Sequence, residues 1–366
     1  MKYRRMPIEE ESPEQLGYDK IKFNLTESSV RDRSLADLGM NIEDILLCYG
    51  DHEGHPALRE VIAADAAGVA TENVLVTAGA SAALYIIASS LLAEGDHMVV
   101  VRPNYATNIE TPRAIGCDIS YLDLSFANGF RLDLDELGAL IRPQTKFVSL
   151  TYPHNPTGAM LDKCELSAIV ELTAIRGCTL LFDETYREMT FGEGLPVAAS
   201  LGSHVISVSS LSKTYGIPGI RVGWLICRNP NLMHLFLCGK EQIGICGSVV
   251  DEQIATTALL QKEEWLVMNN AHIRESFGIV KDWIEGEEMI EWVQPKGGCV
   301  CFPGIKPECD IDVDSFYRRL NEDLGAYVGP GHWFEQPRRF FRIGYAWPLL
   351  DELRGGLACI SQALRA

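Results

Sequence analysis

Lys213 follows an apolar run and lies between Ser210, Ser212 and, eight residues on, Arg221. A lysine in such a setting is seldom placed by packing alone, because a buried ammonium is costly unless paired. The same loss of water makes an amine a nucleophile toward an aldehyde. Ser210 and Ser212 bring hydroxyl donors and Arg221 a planar fork of N–H groups, all suited to a phosphate. Pro218 and Gly219 bend the chain so that Arg221 returns toward Lys213. The chemistry implied is a covalent link to an aldehyde that carries a phosphate.

Other stretches supply matching groups. Residues 73–77 predict a short strand, 78–81 a turn of small residues and 82–92 a buried helix. That succession gathers free backbone N–H groups and the positive end of a helix dipole, so Gly79, Ala80 and Ser81 form an anion site. Residues 179–183 predict a buried strand ending in Asp183, a carboxylate that requires a cationic partner such as a protonated pyridine nitrogen. The run N-P-T-G at residues 155–158 fixes a tight turn. Arg342 is the one charge in the apolar run at 340–345 and suits a carboxylate. Aldehyde, phosphate and pyridine together describe pyridoxal 5'-phosphate (PLP).

The pattern S-x-S-K-x-x-G-x-P-G-x-R-x-G resembles the cofactor-lysine signature of the class I/II aminotransferases, in the fold-type I superfamily of PLP enzymes. The resemblance runs from about Tyr49 to Arg342. It implies an α/β fold: a large domain with a mostly parallel seven-stranded sheet covered by helices, and a smaller α+β domain built from both termini. The expected division is 1–45 (N-terminal arm and part of the small domain), 46–275 (large PLP-binding domain) and 276–366 (C-terminal small domain). The resemblance also assigns roles. Lys213 becomes the Schiff-base lysine, and Asp183 pairs with the pyridine nitrogen. Asn155 and Tyr186 hydrogen-bond the cofactor's phenolic oxygen, and Tyr105 stacks on its ring. Gly79, Ala80, Ser81, Ser210, Ser212 and Arg221 hold the phosphate, joined by Tyr49 reaching across to a partner subunit. Arg342 with Asn155 takes the substrate carboxylate, and Glu27 faces the substrate. His154 and Glu184 receive no chemistry: the first is expected at the periphery, the second as structural or solvent-facing.

The elements that must position these groups follow a βαβ rhythm from residue 73 onward, with strands at 97–101, 118–122, 146–150, 204–209 and 223–227, the last antiparallel. Helices are expected from Pro56, at 247–260, 263–283 and 313–321, and residues 1–20 as a polar arm. A chain of 366 residues that is 47% hydrophobic accommodates two domains. Its net charge of −18 argues against nucleic acid, whose partners carry basic patches. No apolar run reaches the ~18 residues of a membrane span, and the basic start lacks the apolar core of a signal peptide. Eleven irregularly spaced cysteines suit a reducing cytoplasm, and Cys299 and Cys301 lack a second pair at zinc spacing.

The expected activity is transfer of an amino group between an amino acid and a 2-keto acid, in a homodimer with shared active sites. The segment 240–248 contains Lys240 but no arginine. By the resemblance, that disfavours a dicarboxylate donor such as aspartate and favours a neutral or basic side chain. Parts of the chain are also similar to family members of the capreomycidine synthase type, which eliminate and cyclise a hydroxyarginine, so a lyase or cyclase is the alternative. A PLP-sensing regulator is the more remote expectation, since residues 1–20 read as a polar arm and not a helix-turn-helix, and the charge is acidic.

Overall fold

The computed structural model describes residues 1–365. Thirteen strands follow in chain order: β1 (Phe23–Leu25), β2 (Val74–Thr77), β3 (His97–Arg102), β4 (Asp118–Asp123), β5 (Thr145–Thr151), β6 (Thr179–Asp183), β7 (Val205–Ser210), β8 (Gly223–Cys227), β9 (Ile290–Glu291), β10 (Val300–Cys301), β11 (Gly304–Ile305), β12 (Ala326–Pro330) and β13 (Phe341–Gly344). Seven of them form one sheet in the order β2-β8-β7-β6-β5-β3-β4. Strands β4, β3, β5, β6 and β7 are parallel, while β8 runs antiparallel to both β2 and β7. The sequence places every one of these strands, with ends one residue off in several.

Side chains alternate across a strand, so a sheet buried on both faces reads as a continuous apolar run. Val99, Val101, Val148 and Leu180 pack on one face, under Leu166 and Ile169 of helix Lys163–Arg176. Met98, Val100, Phe147 and Leu181 pack on the other, under Ala83, Leu84 and Ile87 of helix Gly79–Leu91. That helix starts at Gly79, three residues earlier than the sequence suggests. Gly79, Ala80 and Ser81 therefore form its first turn, where N–H groups have no partner within the helix.

A second sheet, β1-β12-β13-β10, takes one strand from the N-terminal part of the chain and three from the C-terminal part. Helix Leu350–Arg365 covers it through Leu353, Leu357, Ile360 and Leu364. The long helix Lys262–Glu285 runs across residue 275. Val313–Arg318 is shorter than expected because the chain widens into a single π turn over Arg319–Asp323. Residues 1–20 are docked, with single helical turns at Pro7–Glu10 and Pro13–Leu16. Glu11 accepts from Trp333 Nε1 at 2.7 Å and meets His332 Nε2 at 2.9 Å, which holds the segment against the helical turn Gly331–Phe334 that follows β12.

The close approach of β8 to the start of helix Gly79–Leu91 depends on glycine. A Cβ on Gly223 meets Gly79 C at 2.5 Å, Ala80 N at 2.6 Å and Ser209 O at 2.8 Å, all backbone. Backbone cannot move aside as a side chain can. Gly223→Ala is therefore expected to lower the unfolding free energy by about 1–3 kcal/mol. Denaturant titration checks this, and a loss below about 0.5 kcal/mol, the scatter of ordinary surface changes, contradicts the packing.

Candidate functional site

The carboxyl ends of the parallel strands and the loops that follow them surround a cavity of about 410 Å³. Open α/β sheets present crevices at this edge. Ala80, Ser81, Tyr105, Asn155, Asp183, Tyr186, Ser210, Ser212, Lys213, Arg221, Glu27 and Arg342 all line it. Gly79 lies immediately behind, and its φ of +81° is a left-handed conformation that glycine adopts without strain. A Cβ there meets Arg221 Nη2 at 2.6 Å, so the bare glycine lets the guanidinium rest on the helix start. Arg221 Nη1 also donates to Pro218 O at 2.9 Å, the contact that turns the chain back after Lys213. Ser212 N donates to Ser210 Oγ at 3.3 Å. The corner thus assembles backbone N–H groups, hydroxyls and a guanidinium, the donor set of an oxyanion site.

Tyr49 is the one expected residue the chain does not bring to this cavity. It is 83% exposed and lies outside the lining. Tyr105 caps helix Ala106–Ile115, and its hydroxyl is 3.2 Å from Ser81 Oγ. Lys213 is half-buried, and its carbonyl accepts from Val30 N at 3.1 Å.

Asp183 ends β6 and is 5% exposed. Thr185 Oγ1 donates to its Oδ1 at 2.7 Å and Asn108 Nδ2 to its Oδ2 at 3.4 Å. Burial nevertheless pushes its carboxyl above the usual range, against the opposing pull of these bonds and of the Lys213 charge. Asn108 and Thr185 escaped the sequence reading. Asn104 precedes helix Ala106–Ile115 and Asn108 lies in its first turn, and Asn104 Oδ1 accepts from Asn108 Nδ2 at 3.3 Å and from Thr151 Oγ1 at 2.9 Å, which ties both to the strand ends. Tyr186 donates to Ser28 Oγ at 3.0 Å and receives Asn155 Nδ2 at 3.4 Å. Burial raises its phenol well above the usual tyrosine range.

Arg342 on β13 is 4% exposed. Its Nη1 donates to Asn155 Oδ1 at 2.9 Å and its Nη2 to Thr26 O at 2.6 Å, while Nε has no partner. No carboxylate forms an ion pair with it among the described residues. A buried guanidinium satisfied only by neutral acceptors, and bordering a cavity, fits an incoming carboxylate. Asp183 likewise fits an incoming cation. The oxyanion corner, the buried acid and the half-buried lysine together fit a phosphorylated pyridine aldehyde.

A family model for aminotransferase class I and II matches residues 29–354. The chain is 30% identical to capreomycidine synthase of Streptomyces vinaceus over 93% of its own length and 87% of that protein's. It is 30% identical to an arginine–pyruvate transaminase of Pseudomonas aeruginosa, over 86% and 83% of the two chains. The structure of a PLP-dependent aminotransferase from Streptococcus suis is similar at a TM-score of 0.92 and 31% identity, covering 100% of this chain and 98% of that one.

Two buried ionisable groups beside the site serve the scaffold. His154 is not peripheral: it is 1% exposed, with Nδ1 2.7 Å from Thr157 Oγ1 and Nε2 2.9 Å from Pro103 O, tying the N-P-T-G turn to the loop after β3. Burial lowers its pKa to about 4. Glu184 is not solvent-facing either. It is 2% exposed, accepts from Ala198 N at 3.1 Å, and burial raises its pKa to about 7. The two act oppositely on stability. Glu184 disfavours folding progressively as pH rises from 4.5 to about 7. His154 is neutral when folded but protonates near 6.5 when unfolded, so its contribution is intact above 6.5 and lost as pH falls toward about 4. The loss amounts to about 3 kcal/mol. His154→Gln is expected to remove that component: the stability difference between wild type and variant shrinks from pH 7 to pH 4. A difference independent of pH contradicts the assignment.

Proposed function

The chain belongs to the class I and II aminotransferases, a family of PLP proteins, and on that premise we propose that it moves an amino group between an amino acid with a neutral or basic side chain and a 2-keto acid. The observation that carries this reading is the convergence of Lys213, Asp183, Asn155, Tyr186 and Arg342 on one cavity. When bound, the cofactor supplies an electrophilic aldehyde and a ring that takes up the electron pair left as the substrate's α C–H bond breaks. Lys213 Nζ would hold the cofactor covalently and, as a free amine, would carry the proton taken from the substrate's Cα. The Asp183 carboxylate, held by Thr185 and Asn108, keeps a positive charge on the ring nitrogen. Asn155 and Tyr186 would bind the phenolic oxygen, and Tyr105, which lines the same cavity, would offer its ring to the cofactor's. Gly79, Ala80, Ser81, Ser210, Ser212 and Arg221 bind the phosphate. Arg342 and Asn155 orient the substrate carboxylate, with Glu27 facing the substrate.

Tyr49, exposed on its own chain, is assigned to the phosphate of a partner subunit in a homodimer. The division at residues 45/46 and 275/276 is retained as the proposed domain plan. Action in the cytoplasm accords with eleven cysteines that are all free. No helix among the described residues is long and apolar enough to cross a membrane.

A second reading, elimination or cyclisation on the same cofactor, is favoured by the likeness to capreomycidine synthase. Both readings need the same lysine, acid and arginine, and they part on products. Holoenzyme mixed with single amino acids is expected to release one equivalent of 2-keto acid without a second substrate. Loss of water, ammonia or carbon dioxide from the amino acid instead identifies the lyase or cyclase. Lys213→Ala is expected to abolish multiple turnover while leaving the fold and binding of the cofactor's phosphate end intact. Circular dichroism, cofactor binding and product formation check this, and sustained turnover by the variant removes Lys213 from the role.

A further inference from the structure

The cavity around Lys213 opens into a second chamber of about 580 Å³. Glu14, Glu27, Ser212, Lys213 and Pro218 line both spaces. Glu27 is half-buried. Its Oε1 accepts from Tyr18 OH at 3.0 Å and from Asn24 Nδ2 at 3.5 Å, and neither Glu27 nor Glu14 forms an ion pair among the described residues. Tyr18 stacks on Trp347 with ring centroids 6.3 Å apart. Burial and the charges of Glu27, Glu14 and Asp32 raise its phenol, so three carboxylates act on one spot at the mouth of the chamber.

Besides Lys213, the basic group that lines this chamber is Arg33, and both it and neighbouring Arg31 are engaged by other partners. Arg33 lies 4.2 Å over Trp265 and donates to Asn269, while Arg31 pairs with Glu352.

The second observation is Arg342, which borders the same cavity. It is 96% withdrawn from solvent, lacks any carboxylate partner among the described residues, and keeps Nε unpartnered. Glu27 is held close to it by backbone: a Cβ on Gly344, two residues beyond Arg342, falls 1.7 Å from Glu27 O. The negative fields of Glu27 and Glu14 reach Arg342, yet neither acid bonds it. A ligand that satisfies both features carries a carboxylate at one end and a cation at the other.

We propose that Glu27, with Glu14 beside it, selects amino acids whose side chain ends in an ammonium or guanidinium group. This narrows the substrate class within the aminotransferase-family reading and rests on it for the placement of the carboxylate at Arg342. Replacing one partner of a charge-assisted hydrogen bond costs about 10- to 100-fold in affinity.

The test compares L-arginine with L-norleucine, an uncharged amino acid of linear side chain, in single-turnover reactions of the holoenzyme over a concentration series. Wild type is expected to favour arginine by at least about 10-fold in kcat/KM, mostly through KM. Glu27→Gln is expected to cut the arginine-to-norleucine ratio by about 10- to 100-fold, and Glu27→Asp to restore part of it. A wild-type preference for norleucine overturns the proposal. So does an equal loss on both substrates in Glu27→Gln, which makes Glu27 a distant counter-charge for Arg342. If neither amino acid reacts, the aminotransferase reading fails separately, and calorimetry on the same holoenzyme decides. Tighter binding of arginine, lost in Glu27→Gln, sustains the proposal, and equal binding of the two amino acids overturns it.

Discussion

Two charges withheld from water govern the arrangement of the site. Asp183 is 5% exposed and Arg342 is 4% exposed, and neither forms an ion pair among the described residues. Burying an isolated charge costs several kcal/mol even after the protein relaxes. Neutral hydrogen bonds offset part of that cost: Thr185 and Asn108 at the acid, Asn155 and Thr26 at the base. They do not restore ordinary ionisation, since burial still raises the acid and lowers the arginine. Each charge borders the cavity, so ligands of opposite charge complete it. A ligand that binds only the folded chain then stabilises that fold in proportion to its affinity.

Holding such groups apart and unpaired requires rigid support. Asp183 hangs from a central strand with apolar neighbours on both faces, and Arg342 from a strand of the second sheet paired to β10 and β12. The cavity lies where these two sheets' loops meet. Gly223 lets β8 press on the start of helix Gly79–Leu91, so the strand after Lys213 and the oxyanion corner form one block. The polar N-terminal segment closes one side, anchored by Glu11 on Trp333.

Much of this was legible in the chain. The seven strands are short apolar runs between turn formers, and the turns at 78–81, 155–158 and 210–221 are dense in glycine, proline and serine, so local chemistry sets them. What escaped depends on contacts distant in sequence. Nothing near Glu11 indicates that it reaches Trp333, 322 residues on. His154 resembled a surface residue of a turn because its partner Pro103 lies 51 residues away. Nothing near Asn108 indicates that its amide meets Asp183, 75 residues on. The early start of helix Gly79–Leu91 was hidden because glycine has poor helix propensity, which tertiary packing against Arg221 overrides.

The fold and cofactor leave the reaction open, because one constellation supports transfer, elimination and cyclisation. All of these begin with a lysine amine joined to the cofactor, and that link is the central claim. Borohydride reduction of the holoenzyme followed by peptide mass spectrometry tests it most directly. The account predicts one cofactor mass per chain, on the peptide that contains Lys213. Labelling at another lysine, or none with cofactor present, contradicts it.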